Sequence, residues 1–233
     1  MKKVIEQLDW NTISNQLNEQ GYTLIKQVIT VDECDQLAEG YNQQDLYRKT
    51  INMDRYRFGQ GEYKYFSYPL PPVIERIRQQ VYPYLAPVAN SWMKMLGISK
   101  QFPKTLEELL DECHAHQQTK PTPLILQYGK GGYNTLHQDL YGEIYFPMQL
   151  VLFLDEPGKD YEGGEFVLIE QRPRAQSRAI VLKPGKGDML IFTTNFRSVK
   201  GSKGYYRVNM KHGVSEVTSG RRHTLGIIFH DAA

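Results

Sequence analysis

From Leu124 to its end, the chain alternates short apolar runs with turn-forming residues, and this pattern limits the fold more than any other feature. Each run has the length of a β-strand, and the segments between the runs are rich in glycine and proline. Because no helical pattern separates the runs, antiparallel strands in a jelly roll or barrel are favoured over a parallel sheet. The predicted strands are residues 124–128, 146–154, 165–169, 179–182, 189–192, 205–210 and 224–229.

Helical patterns dominate the chain before residue 124. Two capping boxes, in which a glutamate follows a threonine by three residues, predict helices that begin at Thr30 and Thr105. Another helix is predicted over residues 72–96, with breaks near Pro83 and Pro87, because proline interrupts helical hydrogen bonding. The sequence therefore predicts a mainly β protein with N-terminal helices.

The chain has 233 residues, 40% of them hydrophobic and 23% charged, which is typical of a globular protein built around one core. We expect a helical N-terminal region, residues 1–123, that packs on a β core, residues 124–233. No apolar run approaches the roughly 20 residues of a membrane span. The first residues also lack the apolar stretch of a secretory signal, so we expect a cytoplasmic protein that does not associate with membranes.

Two histidines and one aspartate form the most informative group of polar residues. His137 and Asp139 are two residues apart, so in an extended segment both side chains point to the same side. With His212 on a later strand, they would offer two imidazoles and one carboxylate to a ferrous ion and leave positions open for molecular oxygen. The structural alternative is a buried pair in which Asp139 only orients a core histidine.

Arg222 and Thr224 add a second element to this group. Arg222 follows His212 by ten residues, and Thr224 shares its strand face two residues later. A buried guanidinium can hold a carboxylate through two parallel hydrogen bonds. The sequence thus places a candidate dicarboxylate site beside the candidate metal site.

Most of residues 124–231 resembles the iron(II)- and 2-oxoglutarate-dependent dioxygenases, which share this spacing of histidine, aspartate, histidine, arginine and hydroxyl. The segment 126–139 is also similar to AlkB-type alkylation-repair demethylases, in which a tyrosine nine residues before the first histidine contacts the co-substrate. Tyr128 occupies that position. The resemblance implies a double-stranded β-helix core, the jelly roll also found in cupins.

The same resemblance implies roles for individual residues and a reaction. His137, Asp139 and His212 would bind Fe(II), while Arg222, Thr224 and Tyr128 would bind the co-substrate 2-oxoglutarate. The expected reaction consumes O2, releases succinate and CO2, and hydroxylates a C–H bond of a second substrate. His137, Asp139 and His212 are therefore the candidate catalytic residues.

Positive charge is concentrated in residues 172–211, which contain ten basic residues and one acidic residue, although the net charge of the whole chain is only +2. Such a segment can attract an anionic partner, either nucleic acid or an acidic peptide. Residues 55–68 are rich in aromatic and basic side chains. They could form a lid that stacks on a flipped base, or simply cover the core with tyrosine rings.

The sequence leaves three interpretations of the function open. The overall pattern resembles a bacterial oxygenase family presumed to demethylate damaged DNA oxidatively, but Ile228 stands where the repair enzymes have a second arginine. The short spacing from His212 to Arg222 is more similar to prolyl hydroxylases, which implies a protein side chain as substrate. A non-enzymatic regulator that binds metal and 2-oxoglutarate is the third alternative.

Overall fold

The computed structural model describes residues 4–233, so the first three residues of the predicted N-terminal region lie outside the described chain. Short 3-10 turns apart, the helices of the described part lie in its first half. They are α1 (Trp10–Gln20), α2 (Val31–Glu39), α3 (Pro72–Met95) and α4 (Leu106–Ala115).

The strands belong to two main antiparallel sheets and one small two-stranded sheet. In chain order they are β1 (Tyr22–Ile25), β2 (Tyr47–Asn52), β3 (Gly59–Gln60), β4 (Glu62–Phe66), β5 (Leu124–Tyr128), β6 (Tyr133–His137), β7 (Met148–Phe153), β8 (Tyr161–Gly163), β9 (Phe166–Gln171), β10 (Arg178–Leu182), β11 (Met189–Thr193), β12 (Phe196–Gly201), β13 (Gly204–Val214), β14 (Val217–Gly220) and β15 (Arg222–Ile228). All seven strands predicted from the sequence are present, and the predicted mainly β fold with a double-stranded β-helix core is confirmed.

Within residues 4–233, the larger sheet has the order β1-β11-β7-β15-β5-β4-β2 and the smaller sheet the order β10-β9-β13-β6-β3, with β12 also pairing with β13. The side chains of β7 alternate between the two faces of the larger sheet and show what covers each face. Leu150 and Leu152 pack with the helices on the outer face of the larger sheet. Val151 and Phe153 point the other way and pack with residues of the smaller sheet. The larger sheet is therefore covered on both faces.

The region before residue 124 is less helical than the sequence predicts, because β1 to β4 lie within it. β1 pairs with β11 at one edge of the larger sheet, β4 pairs with β5, and β3 pairs with β6 of the smaller sheet. Aromatic side chains replace the aliphatic runs that mark the later strands, which is why residues 47–66 carry no clear strand pattern. The division of the chain at residues 123 and 124 stays a prediction.

Two predicted helix starts are confirmed in detail. Thr30 and Thr105 each form a complete capping box with the glutamate three residues later. The predicted break in the third helix is wrong, since α3 continues through both Pro83 and Pro87. Its buried apolar face packs into the main core, and this burial outweighs the hydrogen bonds that the two prolines cannot donate.

Candidate active site

The register of the smaller sheet brings the three candidate metal ligands together. His137 ends β6 and lies directly opposite His212 on β13, while Asp139 follows β6 by two residues. The Nε2 atom of His137 lies 3.5 Å from Asp139 Oδ1, and the Nε2 atom of His212 lies 3.3 Å from Asp139 Oδ2. One potential ligand atom from each residue lies within 4.8 Å of the others, and no other such group of three is found in residues 4–233.

Neighbouring side chains fix the orientation of these groups. Nδ1 of His137 lies 2.7 Å from the carbonyl oxygen of Thr135, which leaves Nε2 facing the aspartate. The hydroxyl of Tyr141 donates to Asp139 Oδ1 at 2.8 Å, and Gln149 Nε2 donates to Asp139 Oδ2 at 2.9 Å. Outer hydrogen bonds of this kind orient metal ligands and tune their basicity.

The electrostatics of the site favour the metal-binding protonation states of Asp139 and His212, whereas the hydrogen bond and charge of Asp139 outweigh burial and raise the pKa of His137. Burial alone would raise the pKa of Asp139, but hydrogen bonds and charge interactions with His137 and His212 outweigh burial and hold it well below its usual value. The pKa of His212 is lowered, first because burial disfavours the imidazolium and then because His137 lies beside it. An ionised carboxylate and a neutral imidazole are the ligand forms that bind a divalent metal.

Arg222 provides a buried positive charge at the start of β15, opposite Tyr128 in the sheet register. It is 1% exposed, and its guanidinium lies 5.6 to 5.8 Å from the ring centres of Tyr128, Phe153 and Tyr161. Its Nη1 atom lies 3.4 Å from the hydroxyl of Thr224. No carboxylate in the described chain forms an ion pair with Arg222, and its Nε atom has no hydrogen-bond partner there.

A buried cation without an anionic partner is energetically costly, so this environment suits a ligand that carries a carboxylate. The donor set therefore fits both groups that the sequence implies. Two imidazoles and a carboxylate suit ferrous iron, and the unpaired guanidinium of Arg222 suits one end of 2-oxoglutarate.

A cavity of about 250 Å³ adjoins the candidate metal ligands and reaches Thr224, whose hydroxyl lies beside Arg222. It is close to the lower end of ligand pockets, which is roughly 300 Å³. Its wall includes the metal-site residues together with Tyr128 and Thr224, whereas Arg222 itself is not part of the wall. The other lining residues are Met53, Phe58, Tyr63, Leu124, Leu126, Asn134, Thr135, Gln138, Tyr141, Gln149, Val151, Phe166, Val214 and Gly226.

Sequence reasoning missed Tyr141 and Gln149. Gln149 had a detectable signal, because it is the polar residue of the otherwise apolar strand β7 and is buried. Tyr141 had none, since tyrosines are frequent in this chain and no spacing rule singles it out.

The basic segment 172–211 is less available to an anionic partner than its composition suggests. Arg197 is buried and forms an ion pair with Glu170, which also pairs with Arg172. Lys183 and Lys186 pair with acidic residues outside the segment. The exposed basic residues that remain are Arg174, Arg178, Lys200, Lys203 and Arg207.

Residues 55–68 divide into two parts. Residues 55–58 are exposed, whereas Tyr65 is buried and Tyr63 lines the cavity. The stretch is therefore neither entirely a lid nor entirely core.

A jelly roll that joins two histidines and an aspartate beside a buried, unpaired arginine defines the class of the protein. It is an iron(II)- and 2-oxoglutarate-dependent dioxygenase, which uses Fe(II), 2-oxoglutarate and O2. Residues 61–232 match the model of the family Oxygenase-NA, described as an oxygenase catalysing oxidative methylation of damaged DNA. The chain belongs to this family.

Further proteins are similar to this chain in sequence or in fold. Two uncharacterised proteins, from two strains of Mycobacterium tuberculosis, are each 48% identical over 168 residues, which is 72% of this chain and 72% of theirs. An oxidoreductase of the 2OG-Fe(II) oxygenase family from Burkholderia pseudomallei superposes with a TM-score of 0.57 at 14% identity, covering 97% of this chain and 94% of that chain.

A prolyl-4-hydroxylase from Pseudomonas putida has a TM-score of 0.54 at 12% identity and covers 96% of this chain and 99% of that chain. At these identities the two structures support the fold alone. No helix within residues 4–233 is both long and apolar enough to cross a membrane.

Proposed function

We propose that this dioxygenase demethylates alkylated nucleic acid oxidatively. In this proposal His137, Asp139 and His212 hold the iron, Arg222 and Thr224 hold the distal carboxylate of 2-oxoglutarate, and Tyr128 contacts the co-substrate. The observation that carries the choice of substrate is the family match over residues 61–232, whose description names damaged DNA. The exposed basic residues of the segment 172–211 support an anionic partner.

The residues of the chain supply orientation and exclusion of water. Thr135 and Tyr141 fix the donor atoms of His137 and Asp139 through the hydrogen bonds described above. Arg222 holds a carboxylate in a site lined by aromatic rings, where the charge interaction is stronger than in water. When bound, iron and 2-oxoglutarate supply the oxidation, in which one oxygen atom of O2 enters succinate, the other enters the substrate C–H bond, and CO2 leaves.

Turnover of a methylated oligonucleotide tests the proposal. Hydroxylation of an N-methyl group gives a product that releases formaldehyde, so succinate and formaldehyde should form in equal amounts. The assay uses iron-loaded protein with N-methylated and unmethylated single strands of the same sequence, and the variant His137→Ala as the control. Formaldehyde from the methylated strand alone supports the proposal. Succinate without formaldehyde on every methylated strand would contradict it.

A protein side chain, of the prolyl type, is the second candidate substrate. Two observations favour it: the similar fold of the Pseudomonas putida prolyl-4-hydroxylase, and Ile228 at the position of the second arginine of the repair enzymes. Proline-containing peptides assayed in the same way, with mass spectrometry to detect an added oxygen atom, distinguish the two candidates.

A further inference from the structure

An exposed aromatic pair lies at the edge of the cavity. Tyr56 ends a short 3-10 helix and is 54% exposed, and Phe58 is 46% exposed. Their rings are stacked, with centres 5.5 Å apart and planes inclined by 18°. Phe58 also lines the cavity that contains the metal-site residues. Two neighbouring aromatic rings that are left half in water at the edge of a site indicate a surface that binds a partner.

The backbone of this pair is fixed to the strand that carries the first metal ligand. The carbonyl oxygen of Phe58 accepts hydrogen bonds from the backbone N–H of Thr135 at 2.9 Å and from its hydroxyl at 2.8 Å. Thr135 precedes His137 by two residues, and Gly59 pairs with Asn134 in the sheet. These contacts anchor the backbone at Phe58 beside the strand that carries His137, and so place the aromatic pair next to the metal site.

Positive charges flank both rings. Arg55 and Arg57 alternate with the aromatic residues, are exposed, and form no ion pair with an acidic residue in the described chain. Asp54 is the exposed acidic residue beside them in the sequence. The segment thus offers two flat π-faces and two free guanidinium groups within four consecutive residues.

More positive charge lies along the edge of β13 that pairs with β6. His212 pairs with β6 on one side and with β9 on the other, and Asn209 pairs with β12 and with β9. β6 and β12 therefore occupy one edge of β13 in succession. The β12–β13 turn, with exposed Lys200 and Lys203, extends this edge beyond His137.

We propose that Tyr56 and Phe58 form a stacking platform for a base of single-stranded nucleic acid, with Arg55 and Arg57 contacting its phosphates. This inference rests on the proposed function and assigns its substrate to the single-stranded class. Aromatic faces combined with a basic surface are how proteins hold single strands without reading sequence. A duplex keeps its bases stacked on each other, so binding it here would require unstacking.

Binding of a fluorescent, methylated single strand, followed by anisotropy, tests the platform. Tyr56→Ala and Phe58→Ala are each expected to weaken binding about tenfold, whereas Tyr56→Phe and Phe58→Trp retain stacking and stay close to the unmodified protein. Met95→Ala removes an exposed apolar side chain on α3 and serves as the matched control. Melting curves establish that each variant is folded.

The arginines are tested by the salt dependence of the same binding. Each lost phosphate contact should reduce the slope of log K against log salt by ~0.7, so that Arg55→Gln combined with Arg57→Gln reduces it by ~1.4. Lys94→Gln, an exposed charge on α3, should leave the slope unchanged.

The outcomes separate this inference from the proposed function. Formaldehyde release from methylated strands combined with unchanged affinity of folded Tyr56→Ala and Phe58→Ala would overturn the platform and leave the function standing. Equal or tighter binding of the matching duplex would also overturn it. Weakened binding of a proline peptide by these variants, with no binding of oligonucleotides, would assign the surface to a peptide and reject both proposals.

Discussion

Arg222 has lost nearly all contact with water, and no carboxylate of the described chain replaces that hydration. The three aromatic rings around it offer weak attraction to a cation, which does not match a charged partner. At the scale of single residues, the site is therefore incomplete until an anion binds. The carboxylate of Asp139 differs from Arg222 in this respect, because it already accepts hydrogen bonds from Tyr141 and Gln149.

Substitution of Arg222 should weaken binding of 2-oxoglutarate. Arg222→Lys keeps the charge and loses the planar pair of donors, so the affinity should fall about 10- to 100-fold, which is the cost of about one or two hydrogen bonds to a charged group. Calorimetric titration with 2-oxoglutarate measures this. Arg221→Lys, at the exposed neighbouring position, is the matched control and should bind normally. Equal affinities of the two variants would contradict the role of Arg222.

Tyr141→Phe should weaken metal binding while leaving all three ligands in place. The substitution removes one hydrogen bond to Asp139 Oδ1, and outer partners of this kind affect metal affinity by about 10- to 100-fold. Anaerobic titration with Fe(II) against a competing chelator gives the affinity directly. Tyr133→Phe, an exposed tyrosine on β6, should have no effect.

At this scale the sequence predicted the residues whose types and spacing are diagnostic. His137, Asp139 and His212 converge as expected, and Thr224 lies beside Arg222. The contacts of Tyr141 and Gln149 could not be predicted, because they depend on the path of the loop after Asp139 and on the register of β7. Gln149 stands out in the sequence as the polar residue of β7, but that pattern does not show which group it contacts.

Secondary-structure elements were predictable where burial imposes a simple pattern. β5, β7 and β11 are rich in apolar residues and were found, but β6 was not, because Tyr133–His137 is largely polar and partly exposed. The strands β1, β3 and β4 were missed because their partners β11, β6 and β5 lie far away in sequence, and β2 was missed with them because it pairs with β4.

Gly164 illustrates how a turn between two strands supports the arginine site. Its φ is +61°, and a Cβ atom there would lie 2.9 Å from both Arg222 Cδ and Val217 Cγ2. Gly164→Ala should therefore lower the melting temperature and also weaken 2-oxoglutarate binding. Gly97→Ala is the matched control, with a φ of +66° and nothing within 4 Å, and should cost only the backbone strain of about 1 kcal/mol. Equal destabilisation by the two variants would show that packing against Arg222 does not matter.

For the whole molecule, the C-terminal segment connects the helical layer to the larger sheet. Asp231 pairs with the buried Arg78 of α3, and His230 Nδ1 accepts a hydrogen bond from the backbone N–H of Phe146. Burial, followed by the charge of Arg78, lowers the pKa of His230 to about 4. Protonation of His230 Nδ1 would remove the acceptor for Phe146 and add a positive charge near Arg78. It would therefore destabilise the packing of the C-terminal segment.

The contribution of His230 to the stability of the protein should fall as the pH decreases from about 6.5 to about 4. In this range His230 binds a proton in the unfolded chain but not in the folded one, so its contribution is complete above 6.5. The loss is on the order of 3 kcal/mol. Urea unfolding at several pH values measures it, and His230→Asn, which keeps an acceptor for Phe146 without titrating, should give a shallower decline. A decline as steep as in the unmodified protein would exclude His230 as its source.

The unpaired guanidinium of Arg222 also affects which buffers and salts are suitable for this enzyme. Malonate, tartrate and similar diacids present the same terminal group as the co-substrate, so as buffers or crystallisation salts they would act as competitors. Succinate, released in every cycle, carries that group as well. Assays should therefore slow as product accumulates, and excess 2-oxoglutarate should restore the initial velocity.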